Sequence, residues 1–494
     1  MKPIMSLLLG FVLLVTSHLA AWAELAAPKG FQLGDAVITP IQTTTSISQH
    51  GITWTFAEPV GYGQFVNGDY WVLDPGSGVV ITGISNTFHS GLDLSTVDYD
   101  GSMADCLWDK TTTAAGAPQG LDSRVNAGAS YNSALNINKH LPYTALAGKS
   151  ILSAISWQSG DTGLPSSALT GRPWLKRIAI LTIVSSSPAA TDFRPSYAVG
   201  QKAIYSSIGL ATLPLVSVTA TIPSISVLVG NTQGPWTDLT FDYQSEGMRA
   251  SDNYGGNYGY VATYNENMAT KIGDAILASV TDISGKTPLI NNIIQIGIDY
   301  YGLLQNGAKW KANGGHQHGY KLPILYAGKL LNNSGMLAIG TDYLPSTNTF
   351  QDDNTFYITS DLQYPNRIVC GDQRGTPPEC VNPSTGLSSF TMDRQYDATN
   401  FPVGTAEWGI RHWESSYKDN SSMEELSAVY RHINARPLIA HALAARILGL
   451  KTAWNNNAFF EYHDRWYTWA QAKSVKTFNS TFANEMWNTY RKDY

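Results

Sequence analysis

Hydrophobic and polar residues alternate in short runs through the first half of the chain. From about residue 31 to residue 235, β-branched and aromatic residues recur at every second position in segments separated by Gly, Asn, Asp, Ser and Pro. This period of two is typical of half-buried strands. Asn67-Gly68 between two such segments predicts a type I′ hairpin. The predicted strands are Ile52–Phe56, Gln64–Val66, Tyr70–Leu73, Val79–Thr82, Ser150–Trp157, Lys176–Val184 and Ser217–Leu228.

After residue 236 the period of the apolar positions changes from two to about 3.6, which indicates helices with one apolar face. Pro323 and Pro437 stand where a first helical turn tolerates proline, and Gly449 stands where a C-cap glycine belongs. The predicted helices are Asn267–Thr281, Pro288–Leu304, Pro323–Leu331, Glu424–Tyr430, Pro437–Leu448 and Ala458–Ala472.

These two halves predict an α+β protein. We expect an antiparallel β-sandwich-like domain over residues 24–235, followed by a helical (α/α)-toroid-like domain over residues 236–494, which would carry the chemistry in its loops. Residues 344–401 interrupt the helical half with a long polar stretch that contains several prolines. We interpret this stretch as an insertion that forms a lid or rim.

The first 23 residues have the layout of a secretory signal peptide. Lys2 precedes an apolar run, Ile4–Val15, and small residues end it at Ala21-Trp22-Ala23. An uncleaved anchor is the alternative, but the later apolar runs are far shorter than the roughly 20 residues that span a bilayer. We therefore expect a periplasmic or secreted protein that has no membrane attachment after cleavage.

The composition favours a neutral polar ligand. Apolar residues make up 43% of the chain, enough for real cores, whereas charged residues make up only 14%, against about 25% in an average domain. The net charge is -6 and there is no run of Lys and Arg, so nucleic acid is not an expected partner. A surface rich in neutral polar and aromatic groups suits carbohydrate, and an acidic carbohydrate would have to be held by a few local cations.

Three cysteines are present. Cys370 and Cys380 bound a short loop rich in Gly and Pro, and in an oxidising compartment they predict a local disulfide. Two separate buried thiols are the alternative. The remaining Cys106 is expected to be a small buried hydrophobe. No spacing of Cys and His resembles a closed zinc site.

The densest cluster of candidate chemistry lies in the Gly-rich segment 310–323, immediately before a predicted helix. It contains Asn313, His316, His318, Tyr320 and Lys321. The N-terminus of the following helix favours a bound anion and disfavours a histidinium, so a neutral imidazole here can act as a general base. Chelation of a metal by His-x-His is the competing interpretation, although no nearby carboxylate or third histidine completes such a site. No metal or cofactor is predicted, and Tyr320 and Lys321 have an alternative role as surface residues of the helix N-terminus.

Two further clusters combine cationic, imidazole and amide groups. Arg411 and His412 form one, and Arg431, His432 and Asn434 form the other, again next to a predicted helix start. A guanidinium fork with an imidazole and an amide suits the binding of a carboxylate. The alternative is that these arginines pair with nearby acidic residues as solvated charges.

Three motifs carry a family resemblance: Gly314–Gly328, Glu407–His412 and Tyr430–Asn434. With them the chain resembles exported bacterial polysaccharide lyases of the (α/α)-toroid kind, in particular the alginate and glucuronan lyases of polysaccharide lyase family 38. The resemblance covers about residues 265–472. The β-rich first half departs from a bare toroid, as in toroid lyases that have an added β-domain.

The resemblance implies cleavage of an acidic uronate polymer by β-elimination, without a redox cofactor. One group neutralises the C5 carboxylate, a base removes the C5 proton, and an acid protonates the leaving O4. It implies His316 or His318 as base, Tyr320 or Tyr301 as acid, His412 as a further catalytic residue, Arg431, His432 and Asn434 as the carboxylate clamp, and Asn313, Lys321 and Arg411 as substrate-binding residues.

Two other functions remain open from the sequence. An inverting glycoside hydrolase on a helical toroid would use two carboxylates, such as Glu407, Glu414 or Asp464. A secreted glycan-binding protein would bind through its β-domain and keep the histidine loops as structural elements.

Overall fold

The computed structural model describes most of the strand-rich and helical segments of the chain. The described residues are 41–87, 94–98, 120–121, 131–156, 175–198, 202–238, 250, 253, 266–310, 317–360, 363–364, 396–397, 399, 402–407, 428–472, 474 and 476–494.

A mixed sheet occupies the N-terminal half. Its order is β5-β7-β8-β3-β2-β4-β6, with β1 paired to β2. Among the described pairings of this sheet, β3 and β8 run parallel and the others run antiparallel. The strands are β1 Gln42–Gln49, β2 Ile52–Gln64, β3 Tyr70–Leu73, β4 Val79–Asn86, β5 Leu94–Asp98, β6 Tyr143–Ala145, β7 Ser150–Ser156 and β8 Leu175–Val184.

The sheet buries both of its faces. On β8, Ile178 and Ile180 belong to the core shared with the helices, whereas Leu181 and Ile183 belong to a second core. Because successive strand residues point to opposite faces, a strand that is buried on both sides is apolar almost throughout. This explains the continuous apolar run near the end of β8.

The second core lies between two parts of the same sheet. Trp54 on β2 is fully buried and donates from Nε1 to Ser153 Oγ on β7 at 2.9 Å. This bond joins two strands that are not neighbours in the sheet, so the sheet curves around its own apolar residues.

The predicted hairpin at Asn67-Gly68 is confirmed as the connection between β2 and β3. Gly68 has a φ of 90°, but Asn67 is not in the left-handed region, so the turn is not type I′, which needs positive φ at both positions. The loop is instead closed by the Phe65 N–H, which donates to the Asp69 carbonyl at 2.9 Å. The Asn67 amide also donates to the Asp69 carboxylate, at 2.9 Å.

Helices dominate the C-terminal half, so the coarse α+β prediction is confirmed. None of the helices in the described part of the chain is both long and apolar enough to cross a membrane. The α-helices are α1 Ile225–Thr232, α2 Glu266–Ser279, α3 Thr287–Gln305, α4 Lys321–Leu330, α5 Ser334–Leu337, α6 Ile339–Asp342, α7 Gln351–Asn354, α8 Ala428–Ile447, α9 Lys451–Trp454, α10 Asn457–Ala472 and α11 Thr481–Tyr490. Short 3₁₀ turns are Ser133–Leu135, Ile137–Lys139 and Pro345–Thr347, and a small parallel pair joins β9 Gln363–Tyr364 to β10 Tyr396–Asp397.

Three further local predictions were wrong. The predicted strand Gln64–Val66 lies mostly in the turn between β2 and β3, because β2 ends at Gln64 and the Phe65 N–H closes the turn. The predicted strand Ser217–Leu228 is a turn region that leads into α1, where the Ser224 side chain accepts from the Val227 N–H at 3.4 Å and caps the helix. This cap outweighs the strand preference of the β-branched residues. Pro437 does not begin a helix but lies inside α8. Its neighbours are buried in the main core, and this packing offsets the missing backbone donor.

The main core combines sheet and helix residues across the predicted boundary at 235/236. Residues 42–494 form one compact unit. Helices α2 and α8 approach closely at Gly273, where a Cβ atom would lie 2.7 Å from Ala440 Cβ and 2.9 Å from His441 Cδ2. The missing side chain of Gly273 is therefore what lets these two helices touch.

A buried charge cluster ties the sheet region to α3. Arg194 donates from Nε to Asp69 at 2.6 Å and from Nη1 and Nη2 to Asp299 at 3.1 and 2.5 Å. All three side chains are at most 1% exposed. Burial lowers the pKa of Arg194, but Asp299 and Asp69 more than compensate and raise it above its ordinary value. The guanidinium thus stays charged and paired.

Part of the predicted lid lies in the core. The short helix α7 is buried along its whole length, as are Phe350 before it and Phe356 after it. Most of the remaining residues of 344–401 lie outside the described part of the chain, including Cys370 and Cys380, and so does Cys106.

Candidate functional site

Four of the predicted site residues lie in or beside one buried polar group. His318, Tyr320 and Lys321 follow the Gly-rich segment, and Asn434 lies on α8. Each of these four is fully buried. Asn313, His316, Arg411 and His412 lie outside the described residues, and Arg431 and His432 are described only as backbone in α8.

The loop before α4 has a conformation that needs glycine. Gly319 has a φ of 100°, and a Cβ atom there would lie 3.0 Å from Cα and Cβ of Ala269 on α2. Asp352 on α7 accepts the Gly319 N–H at 2.7 Å and the Lys321 N–H at 3.1 Å. The loop is therefore held by α2 on one side and by a buried carboxylate on the other.

Gln351 connects this loop to α8. Its Oε1 accepts the Gln317 N–H at 3.0 Å, and its Nε2 donates to Asn434 Oδ1 at 2.8 Å. The same Nε2 lies 3.5 Å from His318 Nδ1. Gln351, His318 and Asn434 are each 0% exposed. One amide thus holds together residues from two of the predicted clusters.

Lys321 is part of a buried ion pair that holds helices together. The sequence predicts it at a substrate-binding surface or exposed on the first helical turn, but it is buried and donates to Asp353 at 2.6 Å and to the Trp454 carbonyl at 2.7 Å. Burial lowers its pKa, while Asp353 and Asp352 act in the opposite direction. Asp353 also accepts Trp454 Nε1 at 2.9 Å. This pair connects α4, α7 and α9.

The carboxylate of Asp352 is harder to ionise than an ordinary aspartate. Burial raises the pKa of Asp352 to about 6, although the N–H groups of Gly319 and Lys321 favour its charged form. Near neutral pH it is an acceptor for both backbone donors, and at acidic pH it is protonated.

The aromatic residues of the cluster are core. The rings of Tyr320 and Trp310 stack with centroids 4.5 Å apart and an angle of 10°, and Tyr300 packs on Tyr320 at 4.8 Å. Trp310 donates from Nε1 to Asp238 at 2.7 Å. All three rings are fully buried, so Trp310 is no exposed platform for a sugar.

Tyr301, the other predicted acid, is half-buried on α3. Its hydroxyl lies beside Gly335 on α5. Burial raises its pKa above the ordinary value, and the neighbouring Tyr205 and Tyr343 raise it further. His318 is not among the described neighbours of Tyr301.

Two other buried histidines are neutral structural residues. His441 on α8 donates from Nε2 to the Ala269 carbonyl at 2.7 Å, and His463 on α10 donates from Nδ1 to the Phe459 carbonyl at 2.7 Å. Burial lowers the pKa of each to about 4. Both rings are therefore uncharged at neutral pH.

The carboxylates suggested for a hydrolase are paired with arginine where the structure describes them. Glu407 accepts from Arg465 at 2.9 Å, and Asp464 accepts from Arg446 at 2.7 Å and from Arg491. Glu414 lies outside the described residues. Within the described ranges, no three side chains of His, Cys, Asp or Glu are arranged to hold a metal ion.

Sequence reasoning missed the residues that organise the site. Gln351 stands in no recognisable motif, and Asp352 and Asp353 read as part of a polar insertion. The signal that could have indicated Asp352 and Asp353 is their pairing with Lys321. These residues are about thirty positions apart in the sequence, so no local motif shows the pairing.

Comparison of the chain with protein-family models, with curated proteins and with solved structures finds no match.

Proposed function

We propose that this protein is an exported polysaccharide lyase that cleaves a uronate-containing polysaccharide, such as alginate or glucuronan, by β-elimination. The observation that supports it best is the Gln351 bridge, in which one amide contacts both His318 and Asn434. These two residues belong to separate motifs of the lyase resemblance, and the bridge makes them neighbours, as a shared site requires.

The proposed reaction needs a carboxylate clamp, a base and an acid. The clamp hydrogen-bonds the C5 carboxylate and stabilises the charge that develops when the base removes the C5 proton. The C4–O4 bond then breaks as the C4–C5 double bond forms, and the acid protonates O4. His316, His412, Arg411, Arg431 and His432 keep their predicted roles, whereas Asn434, which is fully buried, supports the clamp from within the core.

His318 and Asn434 are buried, so their role in the proposed site is a supporting one. They support the backbone of two segments whose flanking residues contact the polymer: His316 lies two residues before His318, and Arg431 lies three residues before Asn434. Buried hydrogen-bonded residues of this kind hold reactive groups in a defined geometry.

Architecture and location complete the proposal. The helical half would be toroid-like and the strand-rich half sandwich-like, and the two halves would share one core of sheet and helix residues. The protein would act in a periplasm or outside the cell, where a bridge between Cys370 and Cys380 is chemically reasonable.

The hydrolase alternative is weaker. An inverting hydrolase needs one carboxylic acid that donates a proton to the leaving group, and such an acid is normally found in apolar surroundings. Glu407 and Asp464 are instead paired with arginine.

The test is turnover of a panel of uronate polymers by the purified protein, with and without EDTA, followed by absorbance near the unsaturated uronate band. We expect absorbance to rise on at least one polymer and to persist in EDTA. Absence of absorbance on every polyuronate would refute the lyase, reducing sugar without absorbance would indicate a hydrolase, and loss in EDTA would indicate a metal-dependent reaction.

A pair of matched variants tests the site. Asn434→Leu removes the buried amide that supports the clamp, and Asn292→Leu removes a comparably buried amide on α3 that donates to Thr232 Oγ1 at 3.3 Å. We expect the first variant to lose turnover and the second to retain it, with both folded by circular dichroism. Equal losses would show that the effect is one of stability.

A further inference from the structure

A backbone N–H fixes the orientation of the Gln351 amide. The Gln317 N–H can only donate, and it lies 3.0 Å from one end of the Gln351 carboxamide, so that end is the oxygen. The other end is therefore the NH₂ group, which faces Asn434 Oδ1 at 2.8 Å and His318 Nδ1 at 3.5 Å. The polarity of the whole group follows from one main-chain donor.

This polarity determines which nitrogen of His318 carries the proton. An NH₂ group cannot accept a hydrogen bond, so the Nδ1 atom that faces it has to present a lone pair. A proton on Nδ1 would place hydrogen against hydrogen, which disfavours both the Nδ1–H tautomer and the imidazolium. At 3.5 Å the contact is long, but even a neutral hydrogen bond of ordinary strength favours one form about fivefold.

We propose that Gln351 is a positioning residue that holds His318 in its Nε2–H tautomer and Asn434 with its NH₂ group directed away from Gln351. In this state His318 is a hydrogen-bond donor and not the general base. For its catalytic meaning this inference rests on the proposed lyase function, and there it makes His318 and Asn434 buried supports of the two segments that carry His316 and Arg431, without contact to the substrate.

The arrangement opposes proton abstraction by His318. The only lone pair of the neutral His318 ring faces Gln351, whereas its Nε2 and the Asn434 Nδ2 atom both carry hydrogens. Of the two predicted bases in the histidine loop, this leaves His316.

The experiment reads the tautomer directly. The chain has ten histidines, so ¹⁵N-histidine labelling with long-range ¹H–¹⁵N correlation gives a small set of ring signals, and His318 is assigned by its loss in His318→Gln. In the wild-type protein at neutral pH we expect a protonated Nε2 and an unprotonated Nδ1. A protonated Nδ1, alone or with Nε2, would overturn the inference without any variant of Gln351.

Gln351→Glu tests the cause with little change in shape. One carboxylate oxygen still accepts the Gln317 N–H, but the other now faces His318 Nδ1 as an acceptor and draws the ring proton to it. We expect the His318 tautomer to invert, and on a cleaved polymer we expect kcat to fall far more than KM changes. A wrong tautomer lowers turnover about 10⁴-fold in a hydrolytic triad, which is an upper limit here.

Retention of the Nε2–H form in Gln351→Glu would overturn the role of Gln351. Because the tautomer is read without substrate, the two proposals fail separately. Inactivity on every polyuronate contradicts the lyase and leaves the tautomer assignment intact, whereas a protonated Nδ1 in an active enzyme contradicts the assignment and leaves the lyase intact.

Discussion

Replacement of Arg194 by methionine should destabilise the protein strongly. Arg194→Met keeps the length of the side chain but removes the guanidinium that donates to Asp69 and Asp299. Both carboxylates are 1% exposed, so they cannot recover these interactions from water. Removal of one partner from a buried ion pair costs about 3–5 kcal/mol. For a cooperative unit of about 450 residues, 4 kcal/mol corresponds to a decrease in Tm of roughly 4 °C.

The assay is urea unfolding followed by tryptophan fluorescence, since buried tryptophans occur in both the sheet and the helices, for example Trp54 and Trp454. The control is Asp69→Asn/Arg194→Met/Asp299→Asn, which removes all three charges and keeps an acceptor at each acidic position. We expect it to recover more than half of the lost free energy of unfolding. A loss below about 1 kcal/mol in Arg194→Met, or no recovery in the triple variant, would refute the reasoning.

Three further predictions concern single helix positions. Gly273→Ala should destabilise by about 1–3 kcal/mol despite its better helix propensity, because its Cβ would lie 2.7 Å from another side chain, whereas Gly230→Ala, with no atom within 4 Å, should be neutral or stabilising in the same thermal melts. The folded pKa of His463, about 4, lies below its unfolded value of 6.5, so its contribution is present above pH 6.5 and is lost as the pH falls. The stability advantage of wild type over His463→Asn should therefore shrink by about 2 kcal/mol between pH 7 and pH 5 in urea melts, and an unchanged difference would contradict neutral burial. Burial raises the pKa of Asp274 to about 7, so its folded state loses stability as the pH rises from 3.8 through 7. Asp274→Asn should accordingly gain about 2.5 kcal/mol over wild type between pH 5 and pH 8, and a constant difference would count against the shift.

Hydrophobic periodicity located the long elements well. Helix α3 follows Pro288–Leu304 almost residue for residue, and β8 follows Lys176–Val184, because each has a long apolar pattern of one period. Ser217–Leu228 failed since its β-branched residues carry the strand pattern without a sheet to join, and a serine cap decided the outcome. A local sequence pattern indicates which secondary structure a segment prefers. Packing and capping decide which of the possible structures it adopts.

Only those parts of the site that consist of residues close together in the sequence could be predicted. The histidine loop and the α8 motif were visible as clusters, and the structure brings His318 and Asn434 together. Gln351, which joins them, was not visible, because a buried glutamine has no periodic or compositional signature. Lys321 was misplaced because a lysine is normally solvated, and only its partner Asp353 explains its burial.

The parallel pairing of β3 with β8 constrains the order in which the chain can fold. Tyr70 pairs with Leu181, so the middle of the sheet cannot close until more than a third of the chain is available. The core beside that sheet also takes Met486 from α11, the last helix. Contacts between such distant positions form slowly. The main core of this protein can therefore be completed only after the C-terminal helix has been synthesised.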